Sequence, residues 1–285
     1  MQSRLLTFTN SRGESITFRN GSSFFINSVE GLGDVDAEIQ MQQAPYQDGL
    51  SYIDSVLTTR HISFQVNIRG VDDTDISQKR SKLAALFNPK LGPGTLEYRY
   101  GEVVRIIDAV AEHVPKFPSG FDNRGRQHQV GLVDLICPNP YWRSTSIIEE
   151  PAFESLFEFP FEGEYEFGMQ RNDRLIYNDG DTPAPIQVDF YGPAESPIIE
   201  NLTTGEFIRI NKRLEEGQIF KIDTADSSLF FVDEDGTKTN VFHWIDLDST
   251  YFKLEIGEND ITCHCAISNN QKDFDIYYSK LFNAV

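Results

Sequence analysis

Cys137-Pro138-Asn139-Pro140-Tyr141-Trp142 places two prolines in a six-residue run directly after residues 129–136, a segment patterned as a strand. A proline fixes φ and has no N–H to donate, so a paired central strand cannot continue through both. The chain must leave its sheet here, and the run is the seam of the protein. Charge changes at the same place. Residues 1–145 carry 15 Lys and Arg against 16 Asp and Glu, whereas residues 146–285 carry 10 against 28, so the halves net −1 and −18. A near-neutral module joined to a strongly acidic one reads as two domains, expected at residues 1–142 and 143–285.

At 285 residues the chain has room for two ordinary cores. Its 22 Phe and 11 Tyr favour half-buried pleated surfaces over helices, so the fold class expected is mainly β, with one short helix in the N-terminal domain. The N-terminus shows no apolar h-region and no window approaches eighteen apolar residues, so neither export by a signal peptide nor a membrane span is expected. Three cysteines, Cys137, Cys263 and Cys265, fit a reducing cytosol without a disulfide framework. The acidic balance argues against a surface that grips nucleic acid, which needs Lys and Arg to displace condensed counterions.

Upstream of the seam, strands are expected at residues 4–9, 15–19, 60–69, 95–100, 103–111 and 129–136, with Asn20-Gly21 as a hairpin signal after the second. Residues 60–69 alternate, Ile62, Phe64, Val66 and Ile68 on one face and His61, Ser63, Gln65, Asn67 and Arg69 on the other. A helix follows, with Thr74 or Asp75 as N-cap, Ile76, Leu83, Leu86 and Phe87 on its buried stripe and Asn88-Pro89 as its stop. Residues 113–128, rich in Pro, Gly, Arg and Asn, read as a long loop or projecting hairpin that reaches a neighbouring subunit.

Downstream, residues 149–167 are acidic and aromatic, with rings alternating with carboxylates over part of the stretch. Short strands are then expected at residues 175–177, 186–190, 207–210, 219–222, 229–232, 241–244, 252–256, 261–267 and 274–278, with turns at residues 233–236 and 257–260. Many short strands at regular spacing imply a β-sandwich.

Chemistry finds little support. Cys263 and Cys265 would share one strand face with His264 on the other, which is not the spacing of a zinc site. Asp233-Glu234-Asp235-Gly236, Asp72-Asp73-Thr74-Asp75 and Asp246-Leu247-Asp248 do not match a calcium loop and read as hairpin turns and a helix cap. His61, His113, His128, His243 and His264 form no ligand spacing, and no nucleophile, phosphate-loop or dinucleotide motif occurs. Paired carboxylates for glycoside hydrolysis are not decided by sequence, because their separation sets the mechanism. Trp244 beside His243 reads as core or as a sugar platform. The expectation is no enzyme, no catalytic residue, no metal and no cofactor.

Several motifs together resemble the distal tail protein (Dit) family of siphophages. They are Gly31-Leu32-Gly33, Asp48-Gly49 before Ser51, the strand from Ile62 to Gly70, the helix with Arg80 and Leu83 ending in Phe87-Asn88-Pro89, and the seam itself. Asn178-Asp179-Gly180-Asp181 with Pro183, Asn201 to Gly205, and Leu254 to Asn259 carry the likeness through the second half. The resemblance implies an N-terminal ring-forming β domain in a homo-hexamer, a hairpin arm linking subunits, and a C-terminal galectin-like β-sandwich. It implies a virion structural protein at the tail tip, made in the bacterial host cytoplasm, that joins the tail tube protein to a tail-tip or tail-associated protein and host adsorption apparatus. Residues 114–127 and the N-terminal strands are the interface candidates. The acidic domains are expected to splay from the axis of an open ring. The alternative is a host cell-wall carbohydrate-binding module, with a wall hydrolase third.

Overall fold

The alternation of residues 60–69 forms a ten-residue strand, Arg60–Arg69, in which Ile62, Phe64, Val66 and Ile68 are buried and His61 and Arg69 exposed. The computed structural model describes residues 4–149, 153–155, 168–170, 173–264 and 274–285. The chain forms two units, Met1–Thr145 with Phe282–Val285, and Ser146–Leu281. The expected boundary after Trp142 thus differs by three residues, and the last four residues return to the first unit.

The first unit contains β1 (Leu5–Thr9), β2 (Ser15–Phe18), β3 (Phe24–Glu30), β4 (Ala37–Gln42), β5 (Ser51–Leu57), β6 (Arg60–Arg69), α1 (Asp73–Leu86), β7 (Gly94–Tyr100), β8 (Val103–Ala111), β9 (His128–Cys137) and β10 (Trp142–Arg143). Its main sheet runs β2-β1-β7-β8-β9-β6-β3, antiparallel throughout, with β10 against β8. Asn20-Gly21 does make a turn, yet β2 and β3 form no ladder. They are the two ends of the sheet, joined where Arg19 N donates to Phe24 O at 3.3 Å. The sheet therefore curls round its core.

Helix α1 is capped by Asp72, whose carboxylate accepts from Asp75 N at 2.8 Å, not by Thr74 or Asp75. The side chain of Asp75 is engaged elsewhere, by Val71 N and by Lys79 Nζ at 2.7 Å one turn on. Ile76, Leu83, Leu86 and Phe87 enter the core, and the Phe87 ring stacks on Phe8 at 4.5 Å with Phe18 and Phe64 around it. The high Phe content is used here.

At the seam the two prolines end β9 as expected, and the chain remains in the first unit. Asn139 Oδ1 accepts from Tyr141 N, turning the chain so that Trp142 is fully buried, its Nε1 donating to Leu32 O at 3.1 Å. Arg143 then clamps Asp108 with two bonds of 2.5 and 2.6 Å. Beside Trp142 lies Arg60, also fully buried. Its Nε donates to Pro140 O at 2.7 Å, Nη1 to Gly31 O at 3.0 Å and Asp34 O at 3.5 Å, and Nη2 to Asn283 O at 2.5 Å. Gly31 is forced: φ is +86°, and a Cβ there would lie 1.9 Å from His61 O. One guanidinium thus ties together the Gly31-Leu32-Gly33 turn, the seam and the C-terminal tail, whose Phe282 and Val285 pack on the same core.

Cys137 lies in this knot, fully buried, and burial pushes its thiol up to about 12 despite the nearby Arg60. A thiol reacts as thiolate. Native protein treated with iodoacetamide at pH 8 is expected to leave the Cys137 peptide unlabelled by mass spectrometry, with full labelling only after denaturation. Rapid native labelling would show that the knot opens.

The second unit contains β11 (Ile147–Glu149), β12 (Phe153–Ser155), β13 (Gly168–Gln170), β14 (Asp173–Asn178), β15 (Ile186–Tyr191), β16 (Ala194–Glu195), β17 (Ile198–Asn201), β18 (Glu206–Arg209), β19 (Arg213–Leu214), β20 (Ile219–Asp223), β21 (Ser228–Val232), β22 (Lys238–Asn240), β23 (Gly257–His264) and β24 (Phe274–Tyr278), before the final pair β25 (Leu281–Phe282). Two sheets, β11-β24-β15-β20-β21-β22 and β14-β23-β17-β18, share one core. Val188, Phe190, Phe220 and Ile276 come from one sheet, and Ile176, Ile199, Ile208 and Ile261 from the other. This is the sandwich the spacing implied.

Three expected elements differ. Phe242–Trp244 is a single 3-10 turn, and residues 252–256 contribute only the bridge of Leu254 to Ala184. Residues 257–260 begin β23 because Asn259 turns the chain earlier, accepting from Glu255 N and donating to Glu255 O, both at 2.8 Å. Asn178, Asn201 and Asn259 are all fully buried and satisfied by neighbouring backbone or by each other, which explains their place in the recurring motifs. The acidic aromatic stretch lies largely outside the described residues, as does Cys265.

Candidate assembly interface

Residues 31–59 carry Asp34, Asp36, Glu38, Asp48 and Asp54 and no Lys or Arg. Within them β4 and β5 form a two-stranded ribbon that joins no other sheet. Its base is closed by Thr58 N and Oγ1, which both donate to Asp36 O. Cross-strand partners share a face, so the register places Ala37, Ile39, Met41, Tyr52, Ser55 and Leu57 on one side and Glu38, Gln40, Gln42, Ser51, Asp54 and Val56 on the other. The first side is apolar, yet Ile39, Met41 and Tyr52 are each more than half exposed, as are Leu50, Ile53 and Val56. A bulge between Gln40 and Met41 inserts Ile53 and increases the local twist. At the tip, Gln47 N closes a turn on Ala44 O, while Tyr46 at φ +64° holds its ring fully in solvent.

A lone two-stranded ribbon is marginal in water, and an amphipathic one exposes the face it would bury. The rest of the first unit does not cover it. Excluding residues 31–59, residues 1–145 carry 15 basic against 11 acidic groups. The ribbon is therefore an acidic, apolar arm on a net-positive body.

Of the two readings of residues 113–128, a long loop or a projecting hairpin, the structure has the loop. Residues 113–128 fold back on β9: Lys116 bridges Leu132, Arg124 bridges Gln129, Val130 N donates to Asn123 O, and Phe117 packs on the core beneath Arg80. Its Pro and Gly mark turns, and turns do not distinguish a loop laid on its own sheet from one that projects.

Residues 11–137 match the family profile of the phage tail protein RIFT-related domain, and residues 179–282 that of the siphovirus-type tail component, C-terminal domain. The chain belongs to the siphophage distal tail protein family. Solved structures share the fold over its whole length. The SPP1 Dit protein, described as a paradigm of the hub adsorption apparatus of phages infecting Gram-positive bacteria, is 11% identical with a TM-score of 0.69, covering 98% of this chain and 99% of that one. A chain of the phage p2 baseplate in its activated conformation with Ca is 12% identical with a TM-score of 0.59 over 100% of both chains, and the same baseplate with Sr gives 12% and 0.58. No curated protein matches the chain by sequence. The protein is a structural component of the virion tail, a distal tail and baseplate hub.

The other residues singled out from sequence are dispersed over this distal tail protein. Asp235 caps the turn at Thr237, and its hydrogen bonds there hold it below the usual carboxylate range. Asp246 is likewise lowered, by Asn211 first and then by Asp248 N. His61 meets Glu112 at 2.7 Å and His113 meets Asp134 at 2.9 Å, on the outer side of the first unit. Cys263 is buried and His264 exposed. Trp244 is half-buried against Phe220 and Phe231, at 6.0 and 5.7 Å between ring centroids, so it packs on the sandwich core. Among the described residues no three or more His, Cys, Asp and Glu are gathered where they could hold a metal ion.

Proposed function

We propose that this distal tail protein closes into a ring of six copies that joins the tail tube to the tail-tip apparatus, with the β4–β5 arm as the link between neighbours. The uncovered apolar face of the arm carries this reading. A ribbon that exposes its apolar face in the single chain is completed when a second surface covers it. Contacts between two different patches of identical chains are heterologous, and they generate rings when the rotation closes. Six copies, the tube and tip partners, and a galectin-like second domain follow the family resemblance. The task is mechanical, and no residue of the chain is assigned a reaction.

Light scattering of the full-length protein across a concentration series, with negative-stain images of the largest species, tests the ring. The expected result is a species of six times 32.5 kDa with an open centre. A monomer at every concentration would count against assembly without partners.

A second reading has one observation behind it. The outer face of the β15–β20–β21 sheet has a concavity of about 370 Å³ lined by Gln187, Asp189, Lys221, Asp223 and Tyr277 among others. Polar groups converging beside an aromatic ring suit a saccharide. A glycan array of the full-length protein checks it, with binding lost in Gln187→Ala/Tyr277→Ala as the supporting result.

A further inference from the structure

We infer that the surface receiving the arm of one copy is the basic, aromatic shelf that residues 121–128 and Val71 form on the next. This rests on the reading of β4–β5 as the link between copies and names the other half of the contact.

Val71, Phe121, Arg124, Arg126 and His128 line a shallow concavity of about 610 Å³. Phe121 is 95% exposed and Val71 78%, so two large apolar side chains stand in solvent side by side with cations. Neither Arg124 nor Arg126 enters an ion pair among the described residues, and Asp122 is the one carboxylate of the segment. The shelf is nonetheless rigidly mounted. Gly70 N donates to Gln127 O at 2.9 Å, Gln127 Nε2 donates to Val71 O at 3.3 Å, and Gln129 Nε2 donates to Pro118 O and Asn123 O.

The arm offers the complement. Its tip presents Tyr46 and Leu50 beside Asp48, and its polar side presents Glu38 and Asp54. Glu38, Asp48 and Asp54, with no base among residues 37–57, meet a concavity lined by three basic side chains and no carboxylate; of the acids that follow Val71, Asp72 caps α1 and Asp75 pairs with Lys79. Complementary charge of this kind sets register and orientation more than raw affinity.

Position makes the match intermolecular. The arm leaves the body at the Arg60 end of β6, where Asp36 and Thr58 meet. The shelf sits at the other end, where Arg69 pairs with His128. Nine residue steps of strand separate them, about 30 Å at ~3.3 Å per residue. Two complementary patches at opposite ends of one strand let copies join head to tail, the contact that forms a ring when the rotation closes.

The test is a charge exchange in the full-length chain, at exposed positions. Asp48→Lys/Asp54→Lys reverses the arm, and Arg124→Glu/Arg126→Glu reverses the shelf. Each variant alone is expected to run at 32.5 kDa under conditions where the unchanged protein assembles. An equimolar mixture is expected to regain the large species, because reversed arms meet reversed shelves while native arms meet native shelves, so the two variants alternate. If the unchanged protein assembles and the shelf variant assembles equally well, or the mixture stays monomeric, the shelf is not the receiver and the hub reading stands. If Arg4→Glu/Arg19→Glu disrupts assembly in place of the shelf variant, the concavity lined by Arg4, Arg19, Ile26 and Tyr98 takes the arm and the proposal is overturned. Failure of the unchanged protein to assemble at any concentration overturns the contact together with self-assembly.

Discussion

Replacing Arg60 by Ala is expected to lower the stability of the first unit by more than about 4 kcal/mol, among the largest effects of any single substitution in the chain. The side chain is fully buried, and its partners are four backbone carbonyls, of Gly31, Asp34, Pro140 and Asn283. Among the described residues no carboxylate faces it at hydrogen-bonding distance, and burial pushes its pKa below the ordinary guanidinium value, with Cys137 and Asp34 acting in the opposite sense. Truncation removes the donors and leaves carbonyls that cost about 1–3 kcal/mol each when buried without a partner. It also opens a cavity beside Trp142. For a unit of this size each kcal/mol moves the midpoint by about 2–4 °C, so the thermal transition of the first unit should fall by at least about 8 °C. Arg60→Met fills the volume without the donors and should lie between Ala and the native residue.

The tail makes the same argument testable in a second way. Deleting residues 282–285 removes the Asn283 carbonyl, the Phe282 ring that lies 3.6 Å under the Arg105 guanidinium, and the contacts of Val285 with the core. Because the deletion and Arg60→Ala strike one network, their combined loss should be smaller than the sum. Strict additivity in differential scanning calorimetry would show that Arg60 and the tail act independently, and the knot would have to be abandoned as a unit.

Where a segment buries its apolar face in its own chain, its sequence declares it. Residues 60–69, 103–111 and 274–278 were legible as strands because alternation there is a record of burial, and the double proline was legible because it removes donors whatever the context. The arm escaped for the opposite reason. Glu38, Ile39, Gln40, Met41 and Gln42 alternate as well, but the stretch is short and rich in Gln, and its apolar side is left exposed by the single chain. Arg60 escaped although its parity with Ile62 and Phe64 points it inward. A charge at a strand end is ordinarily solvated, and the carbonyls that receive this one come from residues 26 positions before it and 223 after it. Long-range backbone acceptors leave no local signature. The Asn20-Gly21 pair shows the converse limit, since it specifies a turn but not which strands the turn will pair.

Excising the arm is expected to abolish assembly while leaving the fold intact. Asp36 O and Thr58 N are 2.9 Å apart, so residues 37–57 can be replaced by Gly-Gly with little disturbance of the body. None of the arm's side chains belongs to the core of the first unit. The stability of the first unit should therefore stay within about 0.5 kcal/mol of the native value, as for surface changes remote from packing or caps. Assembly should respond very differently. Covering Ile39, Met41, Tyr52 and Leu50 in full would contribute about 1.5–3 kcal/mol for each side chain, and every copy in a closed ring supplies one such contact. Ile39→Ser/Met41→Ser/Tyr52→Ser removes most of that without shortening the ribbon, and light scattering should find the 32.5 kDa species alone. The two variants separate two causes. If excision prevents assembly but the triple substitution does not, the arm acts by its backbone edge or its charge, as strand addition would. If the excised protein still forms large species, the link between copies lies elsewhere on the body, and the exposed ribbon must serve a partner other than a second copy of the chain.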